Sequence, residues 1–294
     1  MEFEVVVYGC SCHKINHPQF ETLHHTPHQP LLAHHAPQSI CPTFAAMAGF
    51  AHDNVKPFSD KGSKKQQVGD MFDAIAGRYD FMNRFLSAGT DRGWRKKAIR
   101  RFEKDRPALL LDVATGTGDM AIMAAKQLNT KVIGIDISKK MLEIGREKIA
   151  KENLSALIEL KAGDGETINF PDNTFDGVMV AFGVRNFEHL EKGLQEIFRV
   201  LKPGAQLVIL ECTKPRIPGI RTLYNFYMGM IAPQLARWFN QNKQAYQYLS
   251  ASVEAFPDRN EFTDILDRTG FSETGWKSLT LGVCCLYSAR KPAQ

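Results

Sequence analysis

The run Leu110-Leu111-Asp112-Val113-Ala114-Thr115-Gly116-Thr117-Gly118-Asp119 constrains the fold of this chain more than any other stretch. An apolar strand over 109–114 turns at two glycines into a helix over 119–128. A second apolar strand over 131–136 then ends in Asp136. Without Cβ atoms at Gly116 and Gly118 the backbone can approach a ligand closely, and amides at the helix start face it. Asp136 stands at the tip of the second strand, where a carboxylate can accept from both hydroxyls of a ribose.

The rest of the chain continues the alternation. Ser63-Lys64-Lys65-Gln66 reads as a capping box opening a helix through about Gly77, and a second helix is expected over 82–102. Further strands are expected over 158–162, 176–181 and 206–213. Helices are expected over 138–151 and 187–201, the latter stopped by Lys202-Pro203-Gly204. After Thr213 the rhythm breaks at Pro215, Pro218 and Gly219. The stretch 221–240 is rich in Leu, Tyr, Phe, Met and Trp, and a helix over 258–269 with strands over 274–279 and 283–289 closes the chain. Seven strands in this order predict an α/β fold: a doubly wound, Rossmann-like seven-stranded sheet with N-terminal helices and an inserted helical lid.

Composition limits the function classes. With 294 residues and 44% hydrophobic content, the chain can bury one large α/β core. Its net charge of +5 is spread along the chain, and no basic cluster is interleaved with aromatics, so nucleic acid is not an expected partner. No apolar run reaches the ~18 residues of a membrane span. The six cysteines show no disulfide spacing, which favours a reducing, cytoplasmic setting. Cys284 and Cys285 should face opposite sides of a strand, and Cys212 reads as a small core residue.

Residues 1–46 are different in kind. They hold seven of the nine histidines, five prolines, one lysine and no arginine. This composition fits neither a secretory signal nor a transit peptide. The reading is a disordered extension, or coding sequence upstream of a start at Met47, followed by a single domain over 47–294. The histidines at 24, 25, 28, 34 and 35 are interrupted by prolines, and no metal site is expected.

The glycine turn alone leaves NAD and S-adenosylmethionine (SAM) in competition. Asp112 before the glycines suits an ammonium better than a pyrophosphate. Asp119 at the helix start would repel phosphates. Gly163-Asp164-Gly165-Glu166 follows strand three, where Asp164 can accept from an adenine amino group. In this order the acids favour SAM, with the cofactor expected against Asp112, Thr115, Gly116, Thr117, Gly118, Asp136, Ile137, Asp164, Gly165 and Ala181.

Two long motifs go further. Tyr79-Asp80-Phe81-Met82-Asn83-Arg84-Phe85-Leu86-Ser87, continuing to Trp94, and Arg199-Val200-Leu201-Lys202-Pro203-Gly204, continuing to Glu211, flank Ala181-Phe182-Gly183-Val184-Arg185-Asn186. Over roughly residues 56–292 the chain resembles the ubiquinone/menaquinone biosynthesis C-methyltransferases. It departs from their pattern at Asp91 (usually His), Ala205 (usually Gly), Thr213 (usually Ser) and Ala181 (usually Ser). The resemblance implies SAM contacts at Thr117, Asp136, Asp164 and Gly165, and C-methylation of demethylmenaquinol to menaquinol. A ubiquinone precursor or another aromatic small molecule is the alternative substrate.

Such a reaction needs a phenol turned phenolate, so that the ring carbon attacks the methyl, and water kept out. The catalytic candidates are Arg185 and Asn186 beyond strand four and Tyr79 from the N-terminal helices. Arg185 would stabilise the phenolate but stays protonated; pairing with an acid to fix a loop is its structural alternative. The apolar stretch 223–231 is ordinarily core, or else a wall for the prenyl tail or a contact with the membrane surface. A prenylated quinol, a peripheral membrane contact and a homodimer are the partner expectations. The rival functions are an RNA or protein methyltransferase, an NAD-dependent oxidoreductase and a catalytically silent SAM-binding subunit.

Overall fold

The seven expected strands form: β1 (Leu109–Val113), β2 (Lys131–Asp136), β3 (Ile158–Ala162), β4 (Phe175–Ala181), β5 (Leu201–Cys212), β6 (Ser272–Leu279) and β7 (Cys284–Arg290). They form one sheet in the order β3-β2-β1-β4-β5-β7-β6. The first five run parallel, and β7 is antiparallel to both β5 and β6. This computed structural model describes residues 50–58, 61–231 and 243–293. The chain divides into the units Met1–Met47 and Ala48–Gln294. The first, with the reading given to residues 1–46, lies outside the described residues, and all that follows concerns the second.

A parallel sheet covered on both faces needs strands that are apolar on both sides. Leu111, Val113, Val178 and Val180 face a core completed by α5 (Leu190–Val200) and α8 (Asn260–Thr269). Leu110, Met179 and Val208 face the opposite core, with α2 (Asp91–Ile99), α3 (Asp119–Leu128) and α4 (Lys139–Lys151). Cys285 belongs to the first core and Cys284 to the second, as strand alternation requires. Strand order reverses between β1 and β4, both leaving the same edge, and that reversal opens the crevice where ligands of such sheets sit.

The helix starts follow local chemistry. Ser63 accepts from the Gln66 amide at 3.1 Å to open α1 (Lys64–Leu86), and Ser138 accepts from the Met141 amide at 3.2 Å to open α4. The end of α1 departs from expectation, because the helix runs unbroken through Gly77. A mid-helix glycine costs about 1 kcal/mol, which the burial of Val68, Met71, Ala76 and Met82 offsets. The chain turns instead at Ala88 and Gly89, both with positive φ (48° and 76°), and α2 begins at Asp91. Lys202-Pro203-Gly204 does end α5, but these residues form the extended start of β5.

The apolar stretch after Thr213 forms α6 (Pro218–Phe226) and a π-helical turn, Tyr227–Ile231. The core reading fails here, since no residue of α6 is buried. Leu223 is 66% exposed, and Ile217, Phe226 and Met230 are more than half exposed. Residues 232–242, including Arg237, lie outside the described residues. No described helix is long and apolar enough to cross a membrane.

Candidate active site

Backbone at the β1 turn takes the left-handed conformation three times, at Ala114 (φ 54°), Gly116 (φ 57°) and Gly118 (φ 77°). This winding presents amides toward β2. Asp136 accepts from the Gly116 amide at 2.8 Å and, through its other oxygen, from the Ser138 amide at 2.8 Å. Burial raises the Asp136 pKa, and the Ser138 and Gly116 amides oppose the rise. Each carboxylate oxygen keeps a lone pair for a further donor.

Asp112 is fully buried beneath the turn. Thr115 donates to its Oδ2 at 2.6 Å, while Oδ1 lacks a well-formed partner. Burial pushes the Asp112 carboxyl up to about 7, against the Thr115 hydroxyl, Arg95 and the Ala121 amide. A half-satisfied buried carboxylate calls for a cation or donor. It faces a small cleft lined also by Thr115, Gly116, Thr117 and Ala181.

That cleft continues past Gly116 and Ala181 into a second one of about 60 Å³, lined by Asp136, Ile137, Asp164, Gly165 and Phe187. Asp164 accepts from the Glu166 amide at 2.9 Å and pairs with Lys65 of α1 at 2.5 Å. Gly165 is required sterically, because a Cβ there would lie 2.7 Å from the Phe187 ring. Three expectations need revision at the α3 start. Asp119 is paired with Lys148, so its charge is neutralised and does not by itself reject phosphates. The Thr117 hydroxyl is engaged by Asp80 at 2.5 Å, and Lys148 also reaches Thr117 and Asp80 at 3.1 and 2.7 Å. Gly118 lies under this turn as the N-cap of α3, in contact range of Leu160 and Ile149 rather than along the clefts.

Beside these clefts lies a cavity of about 360 Å³ with a mainly apolar lining. Its walls come from α1 (Met71, Ile75, Met82), α6 and the following turn (Tyr224, Tyr227) and α7 (Lys243–Ala255, through Tyr248 and Val253). Tyr79, Phe182 and Asn186 border both this cavity and the cleft of Asp136. Burial raises the Tyr79 phenol pKa, with its Asn83 hydrogen bond opposing.

Arg185 lines the apolar cavity and is almost fully buried. Nη1 donates to Glu211 at 2.6 Å and to the Phe182 carbonyl at 2.7 Å, whereas Nε has no partner. Burial pulls its pKa down, but the Glu211 charge outweighs this and holds the guanidinium firmly protonated. Asn186 donates to the Phe182 carbonyl at 3.2 Å and accepts from the Tyr248 hydroxyl at 3.1 Å. Cys212 borders the same cavity, with burial raising its thiol to about 11, so it is no nucleophile.

Sequence reasoning missed the partners of these groups. Glu211 had a signal: a carboxylate within the apolar run Leu207–Cys212 must meet a cation. Arg95, paired with Asp91 at 2.5 Å, and Lys64, whose Nζ donates to the His52 and Arg185 carbonyls, sit in ordinary amphipathic helices and had none.

The sheet order, the turn beneath an unsatisfied Asp112 and the acids closing β2 and β3 define a class I SAM-dependent methyltransferase. The chain belongs to the ubiE/COQ5 methyltransferase family, whose model matches residues 60–291. It is 44% identical over 243 residues to a demethylmenaquinone methyltransferase of Bacteroides fragilis, covering 82% of this chain and 99% of that protein. It is 40% identical over 230 residues to a ubiquinone/menaquinone biosynthesis C-methyltransferase of Geobacter sulfurreducens, covering 78% and 90%. Among solved structures, a putative SAM-dependent methyltransferase from Methanococcus maripaludis shares the fold at a TM-score of 0.54 and 23% identity, over 76% of this chain and 94% of that one.

Proposed function

We propose that this enzyme methylates a ring carbon of demethylmenaquinol, giving menaquinol and S-adenosylhomocysteine. The observation that carries this reading is the junction at Tyr79, Phe182 and Asn186, where the cleft bordered by Asp136 and Asp164 meets a large apolar cavity. A prenylated naphthoquinol needs such a partition, with its ring at the junction and its tail among Met71, Met82 and Val253. The names of the Bacteroides fragilis and Geobacter sulfurreducens relatives agree with a quinone substrate. The second name also covers the ubiquinone precursor, which stays as the alternative.

In this reading Asp136 and Asp164 hold the ribose and the adenine amino group, Ile137 packs beside them, and Gly165 and Ala181 leave the space. Thr115, Gly116 and Thr117 shape the amino-acid end, Gly118 lets the turn enter its helix, and Asp112 takes the ammonium. SAM supplies a methyl on a sulfonium, an electrophile strong enough to need no activation. The protein's task is then to make the ring carbon nucleophilic and to aim it. Arg185, clamped by Glu211, stabilises the phenolate by charge and not as a base. Asn186, tied between Phe182 and Tyr248, and Tyr79 orient the ring and exclude water. Incubation with methyl-labelled SAM and either reduced demethylmenaquinone or the methoxybenzoquinol precursor tests the reading. Label in the naphthoquinol supports it, and label in neither lipid, with cofactor binding intact, rejects it.

The exposed side chains of Ile217, Leu223, Phe226 and Met230 lie on the element whose Tyr224 and Tyr227 line the cavity. A tail delivered from a bilayer passes there with least exposure to water, which supports peripheral contact at the cytoplasmic membrane face. Charged substitution at Leu223 and Phe226 should then reduce sedimentation with anionic vesicles. A homodimer on the same strip is the competing occupant, and the mass in solution distinguishes them.

A further inference from the structure

The small cleft beside Asp112 contains a second buried charge whose role the reading above does not use. Arg95 projects from α2 into the same lining as Asp112, Thr115 and Thr117. It is 5% exposed, its Nη1 donates to Asp91 at 2.5 Å, and its guanidinium carbon lies 5.4 Å from the centre of the Phe182 ring. Nε has no hydrogen-bond partner. A buried guanidinium with a free donor is costly unless a ligand completes it.

Asp112 and Arg95 therefore present one cleft with a half-satisfied carboxylate and a half-satisfied cation. The amino-acid end of SAM carries the complementary pair, an ammonium and a carboxylate. Asp80 and Asp119 also line the cleft, but Lys148, a further cation nearby that does not line it, is committed to both and to Thr117. We infer that Arg95 receives the α-carboxylate of the cofactor, with Asp91 as the positioning residue that fixes the guanidinium. This rests on the placement of the ammonium at Asp112. Asp91 in turn lines the quinol cavity and is anchored by the Ser87 hydroxyl at 3.1 Å, so one ion pair spans both ligand sites.

The test compares S-adenosylhomocysteine with 5′-methylthioadenosine, which keeps the nucleoside and sulfur but lacks the amino-acid end. Calorimetry on the full chain would use Arg95→Gln and the double variant Asp91→Asn/Arg95→Gln, which leaves no buried charge unpaired; thermal melts report folding. Loss of a charge-assisted hydrogen bond should weaken S-adenosylhomocysteine roughly 10- to 100-fold and leave methylthioadenosine within about twofold. Equal weakening of both ligands, or of neither, overturns the proposal. If neither variant folds, Arg95→Lys decides, because the shortened reach of the cation must weaken S-adenosylhomocysteine selectively or the proposal fails. Failure of the underlying placement looks different: Asp112→Asn would then leave S-adenosylhomocysteine affinity unchanged.

Discussion

The Glu211 carboxylate holds the Arg185 guanidinium at 2.6 Å, with Glu211 fully buried and the cation at the cavity wall. The same Oε1 also accepts from the Cys212 amide at 2.9 Å. Removing one partner of such a pair leaves the other charge buried, typically at a cost of 3–5 kcal/mol. Glu211→Gln retains the shape and part of the hydrogen bonding, so it should cost about 3 kcal/mol in urea unfolding. It should also lower kcat at least tenfold, while S-adenosylhomocysteine binding stays within about threefold.

Asp112 makes a pH prediction with a defined sign. Its folded pKa is about 7, against an ordinary value of 3.8, because of burial. Between those values the folded state holds a proton that the unfolded state has lost, so ligand-free stability declines as pH rises through this window. Asp112→Asn should therefore raise the melting temperature of the free enzyme at pH 8 and change it little at pH 4. S-adenosylhomocysteine affinity should fall below pH 7 in the native chain and lose that dependence in the variant.

Gly165→Ala places a methyl 2.7 Å from the Phe187 ring and 3.0 Å from Val113. Overpacking of this kind costs about 1–3 kcal/mol. The smaller side chain in Phe187→Leu should restore part of the stability and of the cofactor affinity. Denaturation of the single and double variants reads out this coupling.

Lys148 separates two carboxylates, Asp80 and Asp119. Burial raises the Asp119 pKa, but Lys148 outweighs it and holds the net value below the ordinary range. The stability contributed by Asp119 is thus present above about pH 4 and fades as pH falls through its lowered pKa. In Lys148→Met that contribution disappears and the two acids repel. The variant should be less stable by about 1 kcal/mol at pH 8, and the deficit should shrink as pH falls below about 4.

The five parallel strands were legible because each contains an apolar run bounded by turn residues, and α3 begins and ends at Asp119 and Leu128 as expected. The clefts were legible as spacing, since Asp112, Gly116, Asp136 and Asp164 all sit where parallel strands end. The α1–α2 boundary was not, because tertiary burial carried the helix through Gly77 and the turn formed at Ala88 and Gly89. The exposure of α6 was hidden too: all-round apolarity resembles core, and only the surrounding chain shows which faces stay uncovered. Arg185 was open to pairing with an acid and Glu211 in its apolar run needed a cation, but the two lie 26 apart in the sequence and no local pattern joins one to the other.

The unbroken course of α1 ties the two compartments together. Lys65 near its start meets Asp164 at the smaller cleft, and Asn83 near its end borders the apolar cavity. At 1.5 Å per residue these positions are about 27 Å apart on one rigid rod. A rod that roofs both compartments cannot lift over one without tilting over the other. A change in the seat of α1 at either end therefore alters the lining of both compartments, and a substitution in the helix is felt in each.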